Sequence, residues 1–203
     1  MICFLSSTVL AQETLPSNID QKENTAPGKP ISHNEDIYHA FLEKGALLDA
    51  KEYLIKIIEG LPTGTKKQTL LKELYDLNIR IIFSQQTTPY STIHEVQRGD
   101  TVGKIAKKYG TTIEQVMRSN NLRNHIIRPK EKLKVLTAER SLLIDKSSNT
   151  LELFLDGDLI KKYSVATGKD NITPVGTYTI ENKLKNPTWF HAGAIVPPDS
   201  PEN

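Results

Sequence analysis

The sequence predicts a multi-domain α+β protein: a helical hairpin, then a compact β-α-α-β unit, then a mainly β segment. Three observations predict it. Apolar residues recur at three- and four-residue steps between Glu35 and Ile82, two short helical stripes lie between strand-like runs from Ile93 to Leu136, and alternation takes over after Ala138. The chain has 203 residues, enough for two or three small domains, and its 25% charged and 37% hydrophobic content is ordinary for globular protein.

Composition excludes several function classes. Twenty-six basic residues against 24 acidic ones leave a net charge of +2, and the basic residues are spread along the chain. That is not the footprint of a nucleic-acid binder, and no nucleic-acid partner is expected. The single cysteine, Cys3, rules out a disulfide framework or CxxC site within this sequence. His33, His39, His94, His125 and His191 lack metal-ligand spacing, so no metal and no cofactor are expected.

Residues 1–11, within "ICFLSSTVLAQE", are apolar and end on the small-residue spacing Val9-x-Ala11 that a signal peptidase reads. A bilayer span needs roughly 20 apolar residues, so no stable membrane span is expected here. The stretch has no Lys or Arg before Lys22, and it reads as the remnant of a signal peptide, implying export to the periplasm or cell wall. A short buried N-terminal helix is the alternative. Residues 12–34 hold Pro16, Pro27, Gly28 and Pro30 without periodicity and read as a flexible linker.

Residues 35–90 form the helical hairpin. Ile37, Tyr38, Phe41, Leu42, Leu47, Leu48, Tyr53, Leu54, Ile57 and Ile58 make the first stripe, which Gly45 breaks or bends. "GLPTGT" then stops the run, and Leu70, Leu71, Leu74, Leu77, Ile81 and Ile82 make the second. "EKGALLDAKEYLIKII" faintly resembles a tetratricopeptide-type repeat, but one unit cannot bury its face alone, and a spacer or docking platform is the favoured reading.

In residues 93–136 the strand "IHEV" leads to "RGD", where Asp100 or Thr101 caps a helix with Val102, Ile105, Ala106 and Tyr109 on one face. Gly110 closes that helix, Thr111 or Thr112 opens a second bearing Ile113, Val116 and Met117, and "LKVL" is the closing strand. Gly99-Asp100-Thr101, "IAKKYG", Asn120, Leu122, Ile127 and Pro129 before "KLKV" resemble a LysM domain over the whole segment. The resemblance implies binding of N-acetylglucosamine-containing glycan, hence peptidoglycan, in a groove between the loop Gly99–Val102 and the loop Leu122–Ile127. Gly99, Asp100, Thr101, Val102, Asn124 and Ile126 are the glycan-binding candidates it implies. Asp100, Thr101 and Leu122 have an alternative role as caps and core. The sequence departs from the family at Lys130, which stands where a glycine is usual, and at Val102, where leucine is commoner.

From residue 139 to 203, Leu142 and Ile144, then Leu151, Leu153 and Leu155, then Ile160, Tyr163 and Val165 read as three strands joined by "KSSN" and "DGD". "TPVGTYTI" reads as a fourth. With Gly168-Lys169, "NPTWF", "GAIVPP" and "PEN", these pieces resemble the N-terminal part of an L,D-transpeptidase catalytic domain, "NPTWF" matching a loop before its middle strand. The resemblance implies acyl transfer from the stem-peptide diaminopimelate through a cysteine acyl-enzyme, in cell-wall biogenesis and cell shape. The family supplies its chemistry from an HG motif and SxGC. Neither occurs here: His191 is followed by Ala192, and Ser141, Ser147, Ser148, Ser164 and Ser200 lack a convergent His/Asp pattern. The expectation is a fragment of a peptidoglycan L,D-transpeptidase with no catalytic residue and no activity of its own. The alternatives are a non-catalytic LysM peptidoglycan-binding envelope protein and, with least support, a scaffold built on the helices.

Overall fold

The computed structural model describes residues 31–168, 172–181, 188–191 and 194–197. The expected signal-peptide remnant and most of the linker lie outside them, and α1 starts at Ile31, within the stretch read as linker. The architecture is mixed α+β, with helices α1 (Ile31–Glu43), α2 (Leu47–Glu59) and α3 (Thr65–Ile82) leading into two small β-containing parts.

The stretch read as a hairpin is three helices. Gly45 adopts φ +70°, which lets the Gly45 and Ala46 amides turn back onto the carbonyls of Leu42 and Phe41, so α1 ends and α2 restarts at an angle. The three helices close over Tyr38, Leu47, Ala50, Leu54, Ile57, Ile58, Leu77 and Ile81. The 3.6-residue spacing of these side chains puts them on facing stripes, and their burial rather than propensity holds such short helices together.

Next come β1 (Ser91–Glu95), α4 (Val102–Lys108), α5 (Ile113–Ser119) and β2 (Lys132–Leu136). β1 and β2 pair antiparallel, with Ile93 opposite Lys134 and His94 opposite Leu133. Of the two caps left open for each helix, the structure selects Thr101, whose Oγ1 accepts from the Lys104 amide, and Thr112, whose Oγ1 accepts from the Gln115 amide. Val96, Val102, Ile105, Ala106, Val116, Leu133 and Val135 form the core of this unit.

Side chains alternate across a strand, so Leu133 and Val135 enter that core while Lys134 and Leu136 point the other way, toward α3. Leu136 joins Ile82, Ala138, Leu155 and Ile160 in a third core, with Ile79, Phe83, Tyr90 and Leu153 packed around it. The end of α3 therefore sits where all three parts meet, which makes it a junction and not a free spacer.

The C-terminal part opens with the meander β3 (Arg140–Asp145), β4 (Thr150–Leu155) and β5 (Asp158–Ser164), paired antiparallel in that order. Asp156 and Gly157 both take positive φ, 49° and 89°, the signature of a type I′ hairpin turn. Val165, read as part of the third strand, lies just beyond β5. The fourth strand expected at "TPVGTYTI" is not formed: residues 172–181 contain no strand. Thr173 is held by the Lys146 ammonium and the Gly168 amide, while Ile172, Val175, Tyr178 and Ile180 are exposed. "NPTWF", read as a loop, contributes β6 (Trp189–His191), which pairs with β7 (Ala194–Val196) as a separate ribbon.

Candidate functional site

The loop Gln97–Thr101 leaves β1 at the point where Val96 exchanges hydrogen bonds with residues 130 and 131: the Val96 amide donates to the Glu131 carbonyl, and the Lys130 amide donates to that of Val96. Lys130 takes φ 71°, so the position where the family usually has glycine is left-handed here too, at a cost of about 1 kcal/mol for a side chain. Gly99 takes φ 89°, and the Lys104 ammonium donates to its carbonyl at 2.8 Å.

Asp100 accepts at one oxygen from the Gln97 amide at 2.7 Å and lies 3.0 Å from His94 Nε2, while His94 Nδ1 lies 3.1 Å from the Tyr109 hydroxyl. The Gln97 N–H, and then His94, hold the Asp100 carboxyl below the usual carboxylate range. This chain of contacts runs from the buried face of β1 to the loop and fixes the loop's conformation. Thr101 is the helix cap and remains exposed, and Val102 is only 2% exposed, so its side chain belongs to the core.

The other predicted loop is more open. Asn124 and Ile126, with Arg128 and Glu131, line a depression of about 450 Å³. Asn124 Oδ1 accepts from the Ile126 amide, and Glu131 Oε2 accepts from the Arg128 amide, which sets the backbone around it. The Ile126 side chain is 73% exposed, an apolar group presented to solvent among polar ones. Gly99, Asp100, Thr101 and Val102 do not line this depression; the structure brings together only the two candidates from the second loop.

One residue that holds the unit in place escaped the sequence reading, and a second, Asn120, was read only as a helix end. Lys134, 2% exposed, donates from Nζ to the carbonyls of Ile81 (3.0 Å), Ile82 (3.2 Å) and Ser84 (2.9 Å). Ile81 and Ile82 lie in the last turn of α3, so Lys134 caps the end of that helix from the neighbouring unit, joining the Ser84 amide at the Ile81 carbonyl and the Ser119 hydroxyl at that of Ile82. Burial pushes its ammonium down to about 8. Asn120, recognised in sequence as the end of the second helix, bridges from its amide to the carbonyls of Val116 and Lys134 and accepts from the Lys134 amide. A lysine between two apolar residues of a strand was the one available signal for Lys134. On the meander side, the Asn78 amide donates to the Ile160 carbonyl at 2.9 Å, and Lys161 pairs with Asp76 at 2.6 Å.

Of the serines considered as nucleophiles, Ser200 lies outside the described residues, and two belong to a turn. Ser147 and Ser148 donate to the Asp145 carboxylate as part of the β3–β4 turn. No group of three or more His, Cys, Asp or Glu is placed to hold a metal among the described residues, and no helix there is long and apolar enough to cross a membrane.

A two-stranded sheet backed by two short helices, with its open loops at one end and no catalytic constellation, defines a small recognition module joined to a β-meander. Comparison with known proteins names both parts: residues 94–136 match the LysM domain and residues 139–203 match the L,D-transpeptidase catalytic domain. The chain thus carries a LysM domain followed by L,D-transpeptidase catalytic-domain sequence.

Among curated proteins, the chain is 38% identical over 77 residues to the N-acetylmuramoyl-L-alanine amidase sle1 of Staphylococcus epidermidis, covering 32% of this chain and 24% of that protein. It is 36% identical over 98 residues to the N-acetylmuramoyl-L-alanine amidase sle1 of Staphylococcus aureus, covering 38% of this chain and 29% of that protein. The chain spans between 24% and 29% of the length of these relatives. No solved structure matches.

Proposed function

We propose that this chain attaches to peptidoglycan through its LysM domain, which takes the N-acetylglucosamine-containing glycan, and that it serves a peptidoglycan L,D-transpeptidase in the bacterial envelope. The observation that carries the reading is the depression at Asn124 and Ile126. An N-acetylated sugar presents an amide that seeks backbone and side-chain partners and a C–H face that seeks an apolar contact. Asn124, the loop backbone and the exposed Ile126 offer both. Gly99, Asp100, Thr101 and the Val102 backbone lie outside that depression and, in this reading, supply a second contact from the loop that follows β1.

The L,D-transpeptidase match supports acyl transfer at the stem peptide as the chemistry of the family to which residues 139–203 are similar. That chemistry takes a thiolate nucleophile, a base and backbone donors for the oxyanion. The sequence has one cysteine, Cys3, far outside the matched segment, so we take the 203-residue chain to bind without catalysing. The same observation favours the second reading, a non-catalytic LysM envelope protein. The signal-like N-terminal stretch and the peptidoglycan amidase relatives support an exported location, in the periplasm or cell wall.

Co-sedimentation with insoluble peptidoglycan tests the binding reading. The wild-type chain is expected in the pellet, and the Asn124→Ala/Ile126→Ser variant in the supernatant; equal pelleting of the two would refute it. Mass spectrometry after incubation with a carbapenem tests the catalytic part: no covalent adduct is expected, and a stoichiometric adduct would show a nucleophile that this account lacks.

A further inference from the structure

A second groove, of about 440 Å³, opens between the start of α2, the end of α3 and the end of α5, separate in its lining from the depression at Asn124. Leu47, Ile79 and Phe83 give it apolar surface, and Arg80, Arg118 and Gln85 give it polar groups. The two arginines come from different parts of the molecule, α3 and the LysM domain, and meet at this groove because Lys134 ties those parts together.

Both guanidiniums are free to take a ligand. Neither has a carboxylate within 4.0 Å among the described residues. The Arg118 guanidinium lies over the Phe83 ring, its Cζ 3.8 Å from the ring centroid. Stacking uses the face of the guanidinium and leaves its in-plane N–H groups pointing outward, which holds the fork ready for bidentate binding of a carboxylate. A groove that combines this fork, a second unpaired arginine and an aliphatic-aromatic floor matches a short peptide carrying both carboxylates and small apolar side chains. A sugar-phosphate polymer would satisfy the arginines but would leave Leu47, Ile79 and Phe83 facing nothing apolar.

We propose that this groove binds the acidic stem peptide of peptidoglycan, so that the chain grips the polymer at two kinds of chemistry, sugar at the Asn124 loop and peptide carboxylate at Arg80 and Arg118. The proposal rests on the peptidoglycan reading above and extends it. Beyond Arg118 the chain passes directly into the loop that bears Asn124 and Ile126, so one stretch of backbone links the two contacts. The helical part, on this account, completes a binding surface that the LysM domain alone does not have.

Calorimetric titration of the full 203-residue chain tests it with three separate probes: a peptidoglycan stem tetrapeptide without sugar, an N-acetylglucosamine oligosaccharide without peptide, and a glycerol-phosphate polymer. The Arg80→Gln/Arg118→Gln variant is expected to bind the tetrapeptide about tenfold or more weakly than wild type, with Arg80→Lys/Arg118→Lys in between because lysine keeps the charge and loses the fork. Both variants are expected to bind the oligosaccharide as wild type does, which also shows that they are folded. Tetrapeptide affinity that is undetectable in wild type, or unchanged in the glutamine variant, overturns the proposal. So does arginine-dependent binding of the phosphate polymer in place of the peptide. Failure of wild type to bind the oligosaccharide would instead sink the LysM reading, and the tetrapeptide arm would still decide the groove.

Discussion

The LysM unit and the meander that follows it are neighbours in the chain, yet they are stabilised in different ways. In the LysM unit two helices cover one face of a two-stranded sheet, and Val102, Ile105, Val116, Leu133 and Val135 are all almost fully buried among themselves. In the meander, nearly every residue of β3 and β4 is only half-buried, and the residues that are fully buried, Leu155 and Ile160, pack against Ile82 of α3 and Leu136 of β2. The first unit supplies its own core. The second borrows one, chiefly from the end of α3. A helix that looks like a spacer in sequence is therefore what covers one side of the meander and ties it to the LysM unit.

The largest expected effect tests that contrast directly. Ile105→Ala is expected to cost about 3 kcal/mol, because it empties a closed core, whereas Leu151→Ala on the half-buried meander is expected to cost about 1 kcal/mol. Denaturant unfolding of the two variants measures both, and equal losses would erase the distinction.

Next in size is the junction. Lys134→Ala removes a buried four-carbon stem and the donor to three carbonyls, and is expected to cost about 2 kcal/mol. It also carries a pH signature. In the folded chain the Lys134 ammonium gives up its proton near pH 8, and in the unfolded chain near 10.5. Between those values the unfolded state holds more protons, so wild-type stability rises with pH there and is lost again as pH falls through about 8. Thermal unfolding across that window should show the rise in wild type and not in Lys134→Ala.

A smaller change separates binding from stability. Ile126→Ser, at an exposed position, is expected to shift stability by less than about 0.5 kcal/mol while weakening peptidoglycan binding about tenfold. Fluorescence-monitored unfolding beside a pelleting titration reads the two effects separately.

The smallest concerns the β3–β4 turn. Hydrogen bonds from the Ser147 and Ser148 hydroxyls and the Ser147 amide hold the Asp145 carboxyl well below the usual carboxylate range. Its contribution is complete above the ordinary aspartate value of about 4 and fades as pH falls below that. Asp145→Asn should flatten this part of the acid limb in a pH series of thermal melts.

How legible this was in the sequence followed the range of the interactions. The LysM unit could be read nearly whole, because its caps, its Gly110 stop and its apolar stripes act within a few residues of one another. The Asp156-Gly157 turn could be read for the same reason. Gly45 was visible as a break, but whether it bent one helix or separated two depended on what α1 and α2 pack against. The strand expected at "TPVGTYTI" failed because a strand is a property of a pair, and a sequence shows only one member. Lys134 was hidden for a further reason: its partners Ile81, Ile82 and Ser84 are backbone carbonyls some fifty residues away, which leave no mark in side-chain pattern. Asn124 and Ile126 became candidates through family resemblance, and that they share a depression, like the burial of the Val102 side chain in the core, needed coordinates.

The central claim is that the LysM loop of Asn124 and Ile126 is where this chain meets glycan. Titration of the isotope-labelled 203-residue chain with an N-acetylglucosamine oligosaccharide, followed by amide chemical shifts, tests it most directly. The account predicts saturable shifts concentrated at residues 122–131, with a second group at 99–102. Saturable shifts confined to the helices or the meander, or no shifts at all, would contradict it.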